Sequence, residues 1–324
     1  MKDFAGKIAV ITGGGTGMGR ELARQLVAEG CSVAMCDVSE ANMAETRRLC
    51  SQDSPQGVKV TMTVADVSIE DQMNRFAADV ARDQDTDKIH LLFNNAGIGG
   101  GGSVINSSRA EWDKTFNVCW GGVYYGVRAF LPMLMKASEG HIINTSSVNG
   151  FWAWLGPGSA HTAYSAAKFA VKGFTEALIN DLRLNAPHIK CSVVMPGHIG
   201  TEIVANSRSI LGGGAMAAEA LALARQRMAA MGVPAADKLT DEQIQALIDD
   251  QARRFRDDAP TTAAQAAKII LDGVKADEWR ILVGDDAHRL DEMVRADPEH
   301  AYEADFFQRM AESTGWALGG AGRR

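Results

Sequence analysis

Short apolar runs alternate with stretches of helical period through about the first 200 residues of this chain. The runs are rich in Val, Ile and Leu and show little polar alternation, which is typical of strands buried on both faces. This alternation predicts an α/β fold, in which a doubly wound parallel sheet is covered by helices on both sides and connected by right-handed crossovers. The predicted strands are residues 7–11, 32–36, 59–64, 89–93, 141–144 and 190–195, and the helical stretches include 19–29, 68–83 and 163–184.

The sequence changes character after Thr201. Residues 215–231 and 240–257 are predicted to form two added amphipathic helices, the second of which opens with a capping box. A helix at 262–275 and a strand at 280–283 then resume the core pattern. The expected organisation is one domain over residues 1–284, with a helical insertion at about 202–258 acting as a lid, and a C-terminal extension at 285–324.

A glycine-rich segment, TGGGTGMG at residues 12–19, directly follows the first predicted strand and opens the first predicted helix. Glycine permits a tight turn and lets the backbone approach a pyrophosphate, which the positive end of a helix attracts. A glycine cluster alone also fits a plain turn, but the strand before it and the helix after it are the context of a dinucleotide site. The residues predicted to contact the cofactor here are Gly13, Thr16, Gly17, Met18 and Gly19.

An acidic residue, Asp37, ends the second predicted strand, 18 positions after Gly19. A carboxylate at this place accepts hydrogen bonds from the adenosine ribose hydroxyls and repels a 2′-phosphate. No Arg or Lys follows it directly, and Thr16 in the glycine-rich segment is not basic. The sequence therefore favours NAD over NADP as cofactor, the alternative being a surface Asp that caps the next helix.

These features resemble the classical short-chain dehydrogenase/reductase family, whose glycine pattern is TGxxxGxG. Further motifs of that family follow in order: an Asp-Val pair after the third strand, NNAG after the fourth and PGxxxT after the sixth. The resemblance covers about residues 5–205 and again 262–284, and it implies a Rossmann-type sheet, a nicotinamide cofactor and hydride transfer. The cofactor contacts that it implies are Asp66, Val67, Asn94, Ala96, Gly97, Pro196, Gly197, Ile199 and Thr201.

Tyr164 and Lys168 form a YxxxK motif. Positions i and i+4 share one face of a helix, so both side chains are predicted to face one cleft. Interconversion of an alcohol and a ketone needs a group that exchanges a proton with the substrate oxygen, and a free tyrosine with a pKa of about 10 is a weak base at neutral pH. A neighbouring ammonium is expected to lower that pKa. By the resemblance, Lys168 also binds the nicotinamide ribose.

The family resemblance adds two catalytic residues to this pair. Ser147 matches the serine that hydrogen-bonds the substrate oxygen, with the neighbouring Ser146 as the alternative. Asn117 matches the asparagine of a water-linked proton relay to the lysine, the alternative being a helix Asn bonded to the backbone. Ser147 and Tyr164 stand 17 positions apart, about one helical turn more than is usual for the family, and the excess falls in the loop 150–161.

The loop 150–161 and the insertion are rich in apolar side chains. They are predicted to enclose a pocket for a bulky, mostly apolar secondary alcohol or ketone, the alternative being packing inside the protein or in an oligomer interface. His161 and His198 either orient a polar group of the substrate or are incidental. The apolar residues are Phe151, Trp152, Trp154 and Leu155 in the loop, and Ile203, Val204, Ile210, Leu211, Met216, Leu221, Met228 and Met231 in the insertion.

Charge and composition argue against several other classes of protein. The formal net charge of −7 disfavours nucleic-acid binding, and no apolar run approaches the about 20 residues of a membrane helix. The five cysteines lack CxxC spacing and are expected to be free thiols of a cytoplasmic protein without a secretory signal, and no residue cluster has the spacing of metal ligands. The resemblance implies a homodimer or homotetramer built on the helices that begin near Trp112 and Ala163.

The predicted function is therefore that of an NAD-dependent oxidoreductase acting on a secondary alcohol or ketone. One alternative is a reductase of a CoA- or carrier-linked ketone, which normally uses NADPH and a basic docking patch. The other is a non-catalytic NAD(H)-sensing protein, whose expected signature is loss of the tyrosine or the lysine.

Overall fold

The computed structural model describes residues 1–52, 54–100, 102–154, 160–212 and 238–314, together with Leu221, Ala222, Ala224, Arg225 and Met228. Its centre is a seven-stranded sheet, and a second, two-stranded sheet lies beside it. The strands are β1 (Ile8–Thr12), β2 (Ser32–Asp37), β3 (Val60–Val64), β4 (Leu91–Asn94), β5 (Gly140–Thr145), β6 (Ile189–Pro196), β7 (Ile199–Gly200), β8 (Thr261–Thr262) and β9 (Arg280–Val283).

All neighbouring strands of the large sheet are parallel, in the order β3-β2-β1-β4-β5-β6-β9. The chain moves outward in one direction from β1 to β3 and returns to the other side of β1 with β4. In open parallel sheets of this kind, ligands bind at the carboxyl ends of the strands where the strand order reverses. The predicted α/β fold is confirmed, and the predicted glycine-rich segment and strand-end motifs all lie at this edge.

Helices cover both faces of the sheet. On one face, Leu22 and Leu26 pack against Ile270 and Val274 in one apolar cluster. The helices are α1 (Gly17–Ala28), α2 (Glu40–Cys50), α3 (Glu70–Gln84), α4 (Arg109–Phe116), α5 (Gly122–Leu134), α6 (Thr162–Asn185), α7 (Ile203–Gly212), α8 (Asp241–Asp257), α9 (Ala263–Lys275), α10 (Asp285–Ala296) and α11 (Ala304–Thr314), with a π-helical turn at Asn117–Gly121 and a 3₁₀ turn at Val148–Gly150.

The described part of the insertion contains the second of its two predicted helices. The helix expected at 240–257 is α8, and its capping box is present: Thr240 Oγ1 accepts from the Gln243 N–H, and the Gln243 side chain accepts from the Thr240 N–H. The helix expected at 215–231 lies mostly outside the described residues, as do Met216 and Met231. The pairing of β7 with β8, which joins the start and the end of the insertion, has no counterpart in the sequence expectations.

The C-terminal extension adds helices α10 and α11, which pack on the loop that follows β5. Trp152 of that loop is fully buried against Phe306 and Phe307 of α11. Among the helices that the structure describes, none combines the length and the apolar character needed to cross a membrane.

Candidate active site

The glycine-rich segment forms a tight turn between β1 and α1. Gly13 and Gly17 have positive φ angles of 69° and 52°, a region that residues with a side chain rarely adopt. A Cβ at Gly19 would overlap the Gly13 carbonyl oxygen, and a Cβ at Gly13 would lie 2.9 Å from Ala96 Cα. The turn therefore depends on glycine and leaves backbone exposed at the positive end of α1, which suits a pyrophosphate.

The two other residues predicted in this turn contribute differently. The Thr16 hydroxyl accepts a hydrogen bond of 3.0 Å from Asn206 Nδ2 and so connects the turn to α7. The Met18 side chain packs against the apolar cluster beneath α1. The Met18 side chain is partly buried there.

Asp37 lies at the carboxyl end of β2, beside the glycine turn. Its Oδ2 accepts from the Gly15 N–H at 3.0 Å, and its Oδ1 accepts from the Ser39 N–H at 3.0 Å. The N-cap of α2 is Ser39, whose side chain accepts from the Asn42 N–H. The N-cap of α2 is thus Ser39, and the Asp37 carboxylate is held beside the glycine turn.

Asp66 follows β3 and is bound by residues that the sequence patterns did not single out. Its Oδ1 accepts from the N–H and the hydroxyl of Ser68, and its Oδ2 accepts from Lys114 of α4. Burial raises the pKa of the Asp66 carboxyl, but the hydrogen bonds from Lys114 and Ser68 outweigh it, so that this pKa lies below its ordinary value. The adjacent Val67 is buried, and a Cβ at Gly122 would lie 2.7 Å from Val67 Cγ2.

The segment after β4 divides between structural and site-facing residues. The Asn94 side chain is buried and donates to Asn144 Oδ1 at 2.8 Å, so it joins β4 to β5 instead of facing the crevice. The Ala96 N–H donates to Thr12 Oγ1 at 3.1 Å. A Cβ at Gly97 would lie 3.5 Å from Lys168 Nζ, which places this glycine beside the lysine of the YxxxK motif.

Tyr164, Lys168 and Ser147 come together at the carboxyl end of β5. Lys168 is buried, its Nζ donates to the Thr145 carbonyl at 2.8 Å, and it lies 5.4 Å from the centre of the Tyr164 ring. The Ser147 hydroxyl is hydrogen-bonded to the Tyr164 phenol. Ser146 instead donates to the Lys168 carbonyl at 2.8 Å. The structure therefore selects Ser147 over Ser146 as the hydroxyl beside the tyrosine.

Burial controls the protonation of this pair. It raises the pKa of Tyr164 above its ordinary value, with the neighbouring Cys119 acting in the same direction and the hydrogen bond with Ser147 acting against it. Burial also lowers the pKa of Lys168. Lys168 is not among the groups that shift the pKa of Tyr164, and its Nζ is directed at the Thr145 carbonyl. The expected lowering of the tyrosine pKa by Lys168 stays a prediction.

The fourth predicted catalytic residue, Asn117, lies on the helical segment between α4 and α5. Its side chain is exposed at the start of the π-helical turn Asn117–Gly121. Cys119 of the same turn is fully buried, and its Sγ donates to the Ile98 carbonyl at 3.1 Å. A Cβ at Gly97 would lie 3.8 Å from Cys119 Sγ and 3.5 Å from Lys168 Nζ, so this thiol, which no sequence motif indicated, lies near the lysine.

Residues 196–201, predicted to contact the nicotinamide, lie at the carboxyl end of β6. Pro196 ends β6, and the Ile199 side chain lies in the apolar core, so Ile199 offers only its backbone to a ligand. Thr201 lies above the glycine turn, because a Cβ at Gly17 would come within 3.0 Å of Thr201 Cγ2. Between them, Gly197 and His198 contact Asp286 of the C-terminal extension, a partner that no sequence motif indicated.

The aromatic loop is divided between the interior and the site. Trp152 donates through Nε1 to the Ala301 carbonyl at 2.6 Å and is fully buried. It is therefore a core residue and does not line a substrate pocket. Leu155 lies outside the described residues. His161 lies 4.8 Å from Tyr164 between ring centres, and burial lowers the pKa of His161 to about 4, so its ring is neutral at neutral pH. It borders a cavity of about 430 Å³ that Ala153, Ala160, Thr162, Ser165, Ala166 and Phe169 also line.

Comparison with known proteins gives a consistent result. The sequence model described as short chain dehydrogenase matches residues 7–211, more than half of the chain. The oxidoreductase SadH of Mycobacterium tuberculosis is 34% identical over 295 residues, which cover 91% of this chain and 92% of that protein. Levodione reductase of Leifsonia aquatica is 33% identical over 205 residues, which cover 63% and 73%. A solved short chain dehydrogenase/reductase of Burkholderia phymatum in complex with NAD has a TM-score of 0.72 at 29% identity and covers 95% of this chain and 97% of its own.

Proposed function

The chain belongs to the short-chain dehydrogenase family and is an oxidoreductase acting on CH–OH groups, and from this premise we propose that it interconverts a bulky apolar secondary alcohol and its ketone with NAD. The observation that carries this proposal is the arrangement of Ser147, Tyr164 and Lys168 at the carboxyl end of β5. A hydroxyl, a phenol and an ammonium within reach of one substrate oxygen supply both proton exchange and charge stabilisation.

The residues of the crevice fit a dinucleotide cofactor. The turn at residues 12–19 presents backbone where a side chain would not fit, as the overlaps at Gly13 and Gly19 show. The groups that would hold the cofactor are the backbone from Gly13 to Gly19, Asp37, Asp66, Val67, Ala96, Gly97, Lys168, Ile199 and Thr201.

The preference for NAD rests on Asp37. Its carboxylate is fixed by two backbone N–H groups, so it cannot easily turn away from the ribose. The one guanidinium described beside the turn, that of Arg20, is bound to the Gly15 carbonyl at 2.6 Å and to Thr46 Oγ1 at 3.0 Å. A 2′-phosphate would therefore meet a fixed negative charge, which favours NAD.

The protein residues act on the substrate oxygen. A bound nicotinamide supplies or accepts the hydride. Tyr164 Oη gives its proton to the ketone oxygen in reduction and takes it back from the alcohol in oxidation, while the Ser147 hydroxyl donates a hydrogen bond to the same oxygen. Because burial raises the pKa of Tyr164, the phenol is protonated at neutral pH and is ready to act as an acid.

The cavity beside His161 supports a substrate with a bulky apolar part. Ala153, Ala160, Ala166 and Phe169 contribute to its lining. Tyr164 is not part of this lining, but its ring contacts that of His161, which is. On the other side, Ser207 of α7 accepts from the Gly99 N–H at 2.8 Å, and a Cβ at Gly100 would overlap Leu211. The insertion therefore lies directly against the loop after β4 and encloses the apolar side of the site.

An aromatic surface supports a proposal about the assembly of the protein. Trp120, Tyr124 and Phe174 form an aromatic group on α5, α6 and the π-helical turn, and Tyr124 is 40% exposed. We propose that this surface joins two or four copies of the chain. All five cysteines are buried and none forms a disulfide, which supports a cytoplasmic protein.

The test compares wild-type protein with Tyr164→Phe, using Tyr125→Phe as the matched control. Loss of the phenol hydroxyl in Tyr164→Phe should leave NADH binding intact and lower kcat by about 10²-fold or more, which is the contribution typical of a general acid. The assay follows nicotinamide absorbance with NAD and NADP against secondary alcohols of increasing bulk. Wild-type turnover by Tyr164→Phe would contradict the mechanism, and turnover only with NADP would contradict the role of Asp37.

A further inference from the structure

The C-terminal extension reaches the nicotinamide end of the crevice through one side chain. Asp286, in the first turn of α10, is only 5% exposed. Its Oδ2 accepts a hydrogen bond of 2.6 Å from the His198 N–H. His198 lies between Pro196 and Thr201, the segment that closes the site, so this bond joins the extension to the cofactor crevice.

The fit between Asp286 and this segment is close. A Cβ at Gly197 would overlap the Asp286 carboxylate, so the carboxylate occupies the space that a side chain at position 197 would fill. A Cβ at Gly284 would lie 2.5 Å from Asp286 Oδ1. Two glycines, one in the crevice segment and one before α10, thus make room for a single carboxylate.

The same segment is held from its other side by the insertion. His198 Nε2 lies 2.7 Å from the Phe255 carbonyl at the end of α8, and the two rings are 4.4 Å apart between centres. The Gly197 N–H donates to the Val283 carbonyl of β9 at 3.0 Å. The turn at 197–198 is therefore clamped between α8, β9 and α10.

A buried carboxylate is costly unless it makes compensating hydrogen bonds. Burial raises the pKa of Asp286, while bonds from backbone N–H groups of His198 and of the first turn of α10 oppose that rise. The neighbouring acidic residue Asp285 is exposed in the same helical turn. Its negative charge can interact favourably with the positive end of the helix dipole without being buried. The placement of Asp286 is thus explained by its contact with the 197–198 turn better than by helix capping.

We propose that Asp286 is a positioning residue for the nicotinamide half of the cofactor, and that the C-terminal extension is through it a working part of the cofactor site. The inference rests on the proposed function. By fixing the His198 N–H, Asp286 fixes the course of the backbone into Ile199 and Thr201, the two residues expected to contact the nicotinamide. The adenosine half, held by the glycine turn and Asp37, has no contact with Asp286 among the described residues.

The experiment compares the binding of NADH and of ADP-ribose, which lacks the nicotinamide. Full-length wild-type protein, Asp286→Ala, Asp286→Asn and the control Asp285→Ala are titrated with both ligands by calorimetry, at a temperature where each is folded. Asp286→Ala should weaken the binding of NADH about tenfold or more and the binding of ADP-ribose less than twofold. Asp286→Asn should recover most of the NADH affinity, because the amide oxygen still accepts from the His198 N–H, and Asp285→Ala should change neither.

Equal weakening of both ligands by Asp286→Ala, or no weakening of either, would overturn the inference. Asp286→Glu gives the same test if the Ala variant does not fold, because the longer side chain keeps the charge but displaces the turn at Gly197. Asp286→Glu should also weaken the binding of NADH more than the binding of ADP-ribose. If wild-type protein binds neither ligand, the proposed function itself fails, which is distinct from an unchanged NADH to ADP-ribose ratio in a variant.

Discussion

His141 allows the electrostatics of this fold to be tested quantitatively. Its side chain is 1% exposed, and its Nε2 lies 2.7 Å from Ser192 Oγ, whose hydroxyl donates to the Glu278 carbonyl. Because the Ser192 proton is used in that bond, Nε2 of the imidazole must carry the hydrogen and donate to Ser192. Protonation of His141 would then place a charge on Nδ1, which is buried and has no hydrogen-bond partner among the described residues.

The magnitude follows from the pKa. Burial lowers the pKa of His141 from 6.5 to about 4, and the chain's amino terminus and Lys190 act in the same direction, against Asp277. A base whose pKa is lower in the folded state contributes stability above its unfolded pKa and loses it as the pH falls towards the folded value. Between about pH 7.5 and about pH 5, His141 alone should therefore lower the free energy of unfolding by about 2 kcal/mol.

The assay is urea unfolding of wild-type protein and His141→Gln at both pH values. Glutamine keeps an N–H donor for Ser192 but does not titrate. Between the two pH values, the free energy of unfolding of the variant should therefore fall by about 2 kcal/mol less than that of the wild type. His300→Gln is the control, because His300 is exposed and Asp297 raises its pKa instead of lowering it. The contributions of the other histidines are common to both proteins. Equal losses in wild-type protein and His141→Gln would refute the assignment.

Four further outcomes are expected. Asp37→Ala should lower the ratio of kcat/KM for NAD to that for NADP by about tenfold or more, since one repulsive contact with the 2′-phosphate is removed, and an unchanged ratio in steady-state kinetics would count against ribose recognition. Trp152→Ala should reduce the free energy of unfolding by about 3–5 kcal/mol in urea titration, because it empties a fully buried aromatic site. The pH profile of kcat/KM for alcohol oxidation should rise from about pH 7 to about pH 9 while ketone reduction stays nearly constant, because the raised pKa of Tyr164 limits the supply of phenolate. Cys119→Ala should lower kcat more than Asn117→Ala, since only the thiol is buried beside Lys168; the reverse order in turnover would restore Asn117 to the site.

The parts of the site that sequence predicts well are local. The glycine turn needs only residues 12–19 and the strand before it, because its conformation is decided by φ angles and by contacts within the same segment. Tyr164 and Lys168 are four positions apart on one helix, so helical geometry alone brings them to one face. The parallel sheet is predicted for a related reason, since strands buried on both faces carry a continuous apolar pattern.

Asn117 was predicted from the family resemblance, and its role in catalysis stays a prediction. The chain forms a π-helical turn at Asn117–Gly121, in which hydrogen bonds span five residues instead of four. Such a turn changes the direction of the side chains that follow it, and no sequence pattern indicated it. The burial of Cys119 in this turn could therefore not be predicted from the sequence.

The remaining surprises depend on contacts between distant parts of the chain. Trp152 bonds to Ala301 across 149 positions, and His198 to Asp286 across 88. From the sequence alone, an aromatic residue in a loop can be predicted to line a pocket or to pack in the core. The distinction depends on which distant segment the side chain contacts. Here the partner is the C-terminal extension, whose sequence carries no motif of its own. The same extension packs on the loop that leads from Ser147 and bonds to the turn that leads to Thr201. A segment for which no sequence pattern indicated a function is therefore attached to two of the segments that carry predicted site residues.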